Sequence, residues 1–330
     1  MVYWKPAVQN ILHMPAVVNS TSTPEIGSQK LVVIVTYMRS GSSLTGDILQ
    51  QTPGAFYAYE PFRALFSMNS SVAKIMYANK TVRLPPFSLE HESKMTLLHW
   101  LKCELDKLPK VTLMDGFMRY GIKTRTFVQC IKTNKSINNF DKCVKRLKHE
   151  CKISSAIVLK TIRLTVKQIE YFLGDFPNLK IVHLIRDPRA TLSSESRLGQ
   201  CSVKKGGMLG CTSRYCARVE DDILDVERLN TTFSNRLTQV RYENIAKYPI
   251  TSAKEIYKFL GFEFNEHVEN YIFNITMSGK PDNCLICTTR SNSTQHIDAW
   301  KTKMKRIFID IVNDRCHYLI KRSFEIYPKP

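Results

Sequence analysis

A chain of 330 residues with 48 Lys and Arg against 29 Asp and Glu carries a formal charge of +19, which suits anionic partners. Its 43% hydrophobic content excludes wholesale disorder, and no repeat or low-complexity tract divides it, so one large core with insertions is expected. The basic residues are scattered, with modest clusters only at Lys142–Lys148 and Lys301–Arg306 and no nucleic-acid motif, so nucleic acid is not expected as a partner.

Residues 1–29 stand apart from the rest of the chain. Ala7 to Val18 contains Gln9, Asn10, His13 and Pro15, far short of the roughly 20 apolar residues that a membrane span requires. The segment lacks the pattern of a signal peptide as well. It is read as a stem-like segment or a truncated anchor ahead of one domain over 30–330.

Leu31 to Val35 is a short apolar run rich in β-branched residues, the pattern of a parallel strand covered on both faces. Arg39, Ser40, Gly41, Ser42 and Ser43 follow, and Leu44, Ile48 and Leu49 then repeat at helical spacing. Strand, Ser/Gly turn and helix together suit an anion site; the plainer alternative is an ordinary Ser/Gly turn of an α/β protein. Backbone N–H groups and the helix dipole favour an anion there by roughly 0.3–1 kcal/mol. Gly41 permits close backbone approach and Arg39 supplies full charge. The loop is not a Walker A motif, because the G-x-x-x-x-G-K-[ST] spacing and its Lys are missing.

Val158 to Leu164 reads as another strand, followed by an amphipathic helix (Val166, Ile169, Phe172, Leu173) and a strand from Lys180 to Ile185. This is a crossover unit of a parallel sheet. The third run ends at Arg186-Asp187-Pro188-Arg189-Ala190, with Pro188 at a favourable first helical position and Ser194 two turns on. Open α/β sheets bind ligands at the carboxyl ends of their strands. Two such ends bearing Arg and Ser suit a ligand with two separate phosphates. The plainer alternative is that Asp187 and Arg189 merely pair across a turn. His183, inside the strand, reads as a satisfied core residue.

Residues 241–262 read as a polar turn and a helix from Ser252 to Leu260, closed by Gly261. Ten cysteines fit an oxidising compartment. They punctuate segments near 100–155, which lacks core periodicity, and 198–218, both taken as insertions. Cys284 and Cys287 form a single C-x-x-C without two further ligands at zinc spacing, so disulfides are expected, with pairing open. Seven N-x-S/T sequons, at Asn19, Asn69, Asn79, Asn134, Asn230, Asn274 and Asn292, point to a secretory chain. Asn292 is the one least expected to carry sugar. The histidines form no ligand cluster: His91-Glu92 lacks the second His of a zinc-protease helix, and His99 and His149 read as surface residues.

TYMRSGSSLTGDIL and LIRDPRATLSSESR resemble the two cofactor signatures of the Golgi carbohydrate sulfotransferases, in particular the branch that sulfates the 6-hydroxyl of galactose, GalNAc or GlcNAc. Tyr59-Glu60-Pro61, VLKTIRL, VRYENIAKYPITSAKEIYKFLGF and TTRSNSTQHIDAW extend the resemblance to roughly residues 30–320. It implies an α/β, P-loop-like sulfotransferase fold with a central parallel sheet flanked by helices. The implied donor is 3′-phosphoadenosine 5′-phosphosulfate (PAPS), and no metal is required.

Carried over residue by residue, Arg39, Ser40, Gly41, Ser42, Ser43 and Leu44 hold the 5′-phosphosulfate, while Arg186 and Ser194 hold the 3′-phosphate. Glu60 is the implied catalytic base; the plainer alternative is a salt-bridged structural carboxylate near a Pro turn. Lys160 neutralises the sulfuryl oxygens or the leaving group, or else it is the solvent end of an edge strand. Arg290 touches the 3′-phosphate or adenosine end. The resemblance further implies a glycan or glycosaminoglycan acceptor and a type II membrane protein facing the Golgi lumen; it leaves open whether the chain forms a homodimer.

Leu44-Thr45-Gly46-Asp47 departs from the family's aromatic and Gly-Glu, and Ser193 to Ser196 separate the second motif from Arg197. Acceptor-lining residues are expected from 62–155 and 198–235. Two alternatives stand beside this reading. One is a tyrosylprotein sulfotransferase, disfavoured by the full Arg-Asp-Pro-Arg-Ala run and the Tyr-Glu-Pro segment. The other is a non-catalytic relative that binds sulfated glycans through its basic surface.

Overall fold

In the computed structural model, which describes residues 29–133, 137–279 and 288–325, the first apolar run becomes the middle strand of a five-stranded parallel sheet. The strands are β1 (Lys30–Val35), β2 (Ala55–Tyr59), β3 (Ile75–Met76), β4 (Val82–Arg83), β5 (Ala156–Thr161), β6 (Leu179–Ile185) and β7 (Leu237–Arg241). The main sheet runs β2-β5-β1-β6-β7, all parallel, while β3 and β4 form a separate antiparallel pair. The helices that frame the cleft and the core are α1 (Ser42–Leu49), α2 (Leu89–Leu101), α3 (Ile122–Thr133), α4 (Ile137–Lys152), α5 (Val166–Glu170), α6 (Pro188–Arg197), α7 (Gly207–Thr232) and α8 (Pro249–Leu260).

Every residue from Leu31 to Val35 is buried because both faces of the sheet are covered. Successive strand side chains point to opposite faces. Leu31, Val33 and Val35 therefore join Phe56, Trp100, Leu147 and Val166 on one side. Val32 and Ile34 join Leu44, Ile48, Tyr257 and Leu260 on the other. A third cluster packs Tyr215, Val219 and Ile223 of α7 against Val312 and Leu319.

The expected crossover from β5 through α5 to β6 is present and passes over β1, which lies between the two strands. Two expectations need correction. β5 ends at Thr161 rather than Leu164, since Thr165 takes the N-cap of α5 and closes a capping box with Gln168. The segment 100–155 is helical and enters the core through Phe127, Val144 and Leu147. Its apolar stripe at Cys143, Val144, Leu147 and Cys151 has helical spacing but is narrow and surrounded by Lys and Arg.

The predicted helix 252–260 is α8, which starts earlier at Pro249 and ends at Gly261 with φ 71°. Disulfides join Cys103 to Cys151, Cys130 to Cys143, Cys201 to Cys211 and Cys216 to Cys316. Cys284, Cys287, Asn19, Asn134 and residues 1–28 lie outside the described residues. Asn69, Asn79, Asn230 and Asn274 are exposed, whereas Asn292 is half-buried and accepts the Thr294 N–H at 2.9 Å. Among the described residues no helix is long and apolar enough to cross a membrane.

Candidate active site

The carboxyl ends of β1, β2, β5 and β6 open into a cavity of 760 Å³, as parallel-sheet topology favours. Among the described residues, six arginines and two lysines line it against one carboxylate, Glu60. Such a wall holds anions.

The turn after β1 is braced from within. Ser40 is fully buried; its Oγ lies 2.5 Å from Thr36 Oγ1 and donates to the Tyr37 carbonyl at 2.6 Å. Its hydroxyl thus supports the loop instead of facing the cavity. Arg39 (φ 62°) and Gly41 (φ 86°) both take left-handed backbone. A Cβ on Gly41 would overlap the ring of Tyr242, so two constraints demand glycine there. Gly41 is the N-cap of α1 and offers no side chain to the first turn, whose N–H groups open toward the cavity beside Ser42, Ser43 and Leu44. Ser43 Oγ lies 2.9 Å from Tyr59 Oη.

The second motif folds around the start of α6. Asp187 caps the helix, accepting the Arg189 N–H at 2.8 Å, and Pro188 takes the first turn. Arg189 also pairs with Asp187 at 2.7 Å and stacks on Trp300, so the plain turn pairing is present. It coexists with a cleft-facing Arg186, whose guanidinium donates to the carbonyls of Arg39 and His296, each at 2.8 Å. That guanidinium also stacks 4.3 Å over Tyr242, and its Nε is buried without a hydrogen-bond partner among the described residues. Ser194 Oγ accepts from Arg39 Nε at 2.9 Å, which joins the two motifs. Burial, then the charges of Arg186 and Arg290, hold the Arg39 guanidinium below the usual arginine range.

Glu60 and Lys160 meet where β2 and β5 end. The register sets Tyr59 beside Lys160, and the Glu60 N–H donates to the Lys160 carbonyl at 2.9 Å. Lys160 Nζ donates to Glu60 Oε1 at 2.7 Å and sits 4.2 Å over the Tyr59 ring. Both side chains are 3% exposed. The edge-strand alternative for Lys160 is overturned, because β5 is flanked by β2 and β1. Glu60 has φ 51°, a costly conformation for a non-glycine residue and one that recurs at functional sites.

Arg290 lines the cavity, its backbone fixed to Ile275 and Ser278. Of the proposed site residues, only Ser40 is not on the cavity wall. Several wall residues were not anticipated. Arg63 is held by Asp115 at 3.0 Å and stacks 4.3 Å over Phe117, which packs edge-on against Tyr59. With Leu198 and Gln200, they come from the two regions expected to serve the acceptor. Tyr242 escaped notice too, although its place in the VRYEN segment was a usable signal. His183 is buried at the sheet centre with Nε2 2.8 Å from Tyr37 Oη, away from the cavity wall. His99 is half-buried and pairs with Glu104 at 2.9 Å. Glu195 lies beside Cys201 and Cys211, but those sulfurs are tied in a disulfide and offer no thiolate to a metal.

A family model described as "Sulfotransferase family" matches residues 32–266. Mouse carbohydrate sulfotransferase 5 is 24% identical over 326 residues, covering 90% of this chain and 80% of the relative. Human carbohydrate sulfotransferase 6 is 25% identical, covering 89% and 80%. Among solved structures, the sulfotransferase domain of the Synechococcus PCC 7002 olefin synthase is 17% identical at a TM-score of 0.47, covering 94% of this chain and 100% of that one. Mouse sulfotransferase SULT7A1 complexed with PAP is 12% identical at 0.45, covering 90% and 85%. The family match takes in both signature turns and the Glu60–Lys160 pair, and the chain belongs to the sulfotransferase family.

Proposed function

We propose that the chain transfers a sulfuryl group from PAPS to a sugar hydroxyl, a 6-hydroxyl of Gal, GalNAc or GlcNAc in a glycan or glycosaminoglycan. The observation that carries this reading is the buried Glu60–Lys160 pair, 2.7 Å apart, on the wall of the cleft that Arg39 and Arg186 also line. The cleft residues fit a doubly phosphorylated donor. Among the described residues the Arg186 Nε is buried without a partner and the N-terminus of α1 has no side-chain cap, and burial, then the charges of Arg186 and Arg290, depress the Arg39 guanidinium. Each of these costs is one that a phosphate offsets.

Bound PAPS supplies the sulfuryl group and the phosphate that leaves with 3′,5′-ADP. Arg39 and the backbone N–H groups of Ser42 to Leu44 hold the 5′ end, where negative charge grows on the leaving oxygen. Arg186 and Ser194 hold the 3′-phosphate, with Arg290 at the adenosine end. Lys160 neutralises the sulfuryl oxygens. Glu60 takes the acceptor's proton on Oε2, the oxygen that Lys160 does not hold, and general-base assistance of this kind contributes roughly 10²–10⁴-fold. The charge supplied by Arg and Lys leaves no role that requires a metal.

On the acceptor side, Tyr59, Phe117 and Arg63 give the cleft aromatic faces with a cationic rim, which suits a sugar ring bearing anionic neighbours. The four disulfides among the described residues support a lumenal, oxidising location, and we read it as the Golgi lumen.

Titration with 3′,5′-ADP and 5′-AMP tests the donor site. Tight binding that depends on the 3′-phosphate and needs no Mg²⁺ supports it; a Mg²⁺-dependent preference for ATP removes it. Labelled sulfate transfer to oligosaccharides, and not to tyrosine peptides, then supports the glycan acceptor. Transfer to peptides alone overturns it.

A further inference from the structure

A second cavity, of 810 Å³, lies beyond the end of β5, bounded by α2, α5 and α7. Arg163 lines both this cavity and the catalytic cleft. It follows Lys160 by three residues, so at most about 11 Å of chain separates it from the reacting pair.

The charge of this cavity is unbalanced. Its two carboxylates are already engaged: Glu90 pairs with Lys94 at 2.8 Å, and Glu170 pairs with Arg228 at 2.6 Å. Arg163, Lys167 and Arg218 have no carboxylate at ion-pair distance among the described residues. Among the described residues the Nε atoms of Arg163 and Arg218 are buried without a hydrogen-bond partner. A buried donor left unmatched costs about 1–3 kcal/mol, and the same two guanidinium groups line the cavity, Arg218 with one donor already on the Leu164 carbonyl at 3.0 Å. At the rim, Tyr171 is 67% exposed and offers an aromatic face to the same space.

We propose that this cavity is a subsite for the acceptor glycan itself, holding an anionic sugar, a uronic acid or an already sulfated unit, along the chain from the hydroxyl that receives sulfate. Arg163 marks where the glycan passes from one cavity to the other. Lys167 and Arg218 meet its carboxylate or sulfate, and Tyr171 packs on the apolar face of a ring. The inference rests on the glycan reading above and narrows it to polyanionic chains.

The test uses Lys167→Ala/Tyr171→Ala, both exposed positions outside the catalytic cleft. The acceptors are a hexasaccharide of alternating uronic acid and N-acetylhexosamine and a neutral disaccharide. For the hexasaccharide, KM rises about fivefold with kcat unchanged, the scale of one rim charge and one aromatic contact. The disaccharide's kcat/KM and the affinity for 3′,5′-ADP stay at wild-type values. An unchanged hexasaccharide KM overturns the proposal, as does an equal rise for both sugars or an effect confined to acidic peptides. If no glycan is sulfated at all, the proposed reaction fails, and direct titration with the hexasaccharide still decides the subsite. Weaker binding by the variant keeps it, and equal binding removes it.

Discussion

Arg39 Nε donates to Ser194 Oγ at 2.9 Å, and Arg186 donates back to the Arg39 carbonyl at 2.8 Å, so the two signature turns form one hydrogen-bonded unit. Two separate phosphate sites are the simplest inference from motifs that stand 147 positions apart in chain. Their geometry also makes each turn depend on the other.

Arg186→Ala therefore weakens 3′,5′-ADP binding by about 2–3 kcal/mol, the scale of a charged hydrogen-bonding partner removed from a desolvated site. It weakens 5′-AMP too, because the Arg39 turn loses its brace. Ser194→Ala costs about 1 kcal/mol. Arg186→Lys does not restore binding, since an ammonium can neither span the Arg39 and His296 carbonyls nor stack flat on Tyr242. Calorimetry on the three variants checks this; undiminished 5′-AMP affinity in Arg186→Ala refutes the coupling.

The Glu60–Lys160 pair separates a catalytic from a structural role. Glu60→Gln keeps the shape of the site and lowers turnover at least about a hundredfold while sparing 3′,5′-ADP affinity. Lys160→Ala strands a buried carboxylate and costs about 3–5 kcal/mol of stability. Glu60→Gln/Lys160→Met recovers most of that stability without recovering turnover. Denaturant unfolding and single-turnover kinetics on the same preparations measure both; near-normal turnover in Glu60→Gln removes it as the base.

Gly41 carries two independent demands, a φ of 86° and the ring of Tyr242 against its Cα. Gly41→Ala costs about 1–3 kcal/mol and abolishes donor binding, because α1 can no longer start where it does. Gly41→Ala/Tyr242→Ala removes the overlap but not the backbone strain, so stability returns only in part. Thermal unfolding of the two variants gives the split, and full recovery in the double variant means that φ carries no weight.

Local chemistry is what the sequence made legible. The β1 run, the turn glycine, Pro188 at the start of α6 and Gly261 at the end of α8 each follow from residue type and spacing within a few positions. What escaped depends on contacts between distant segments. Lys160 looked equally at home on a solvent edge, because only the insertion of β5 between β2 and β1 buries it. Ser40, expected at the 5′-phosphosulfate, has a hydroxyl that turns back on Thr36 and Tyr37. Arg63 and Phe117 become cleft walls only once Asp115 holds the guanidinium against the ring.

His183 is the last test, and its sign follows from burial. Its ring is fully buried; burial first, then the charge of Arg218, lowers its pKa to about 3 from 6.5. Tyr37 Oη donates to Asp222 Oδ2 at 2.7 Å, so His183 Nε2 is the donor to Tyr37, and burial favours the neutral ring. The folded pKa lies below the unfolded one, so this group contributes no pH dependence above about 6.5. As pH falls from there toward about 3 the unfolded chain binds the proton first, and stability drops by roughly 4–5 kcal/mol at full extent. Asp47, raised to about 6 by burial, and Asp222 and Glu243, also raised by burial, act oppositely because they hold protons more tightly when folded. The wild-type slope is thus a composite, and the difference from His183→Gln isolates the imidazole. That variant is less stable at pH 7.5 but loses less stability between pH 6.5 and 4, approaching one proton less in the unfolding linkage. Parallel stability curves for the two proteins across that window would show that His183 is protonated in the folded chain.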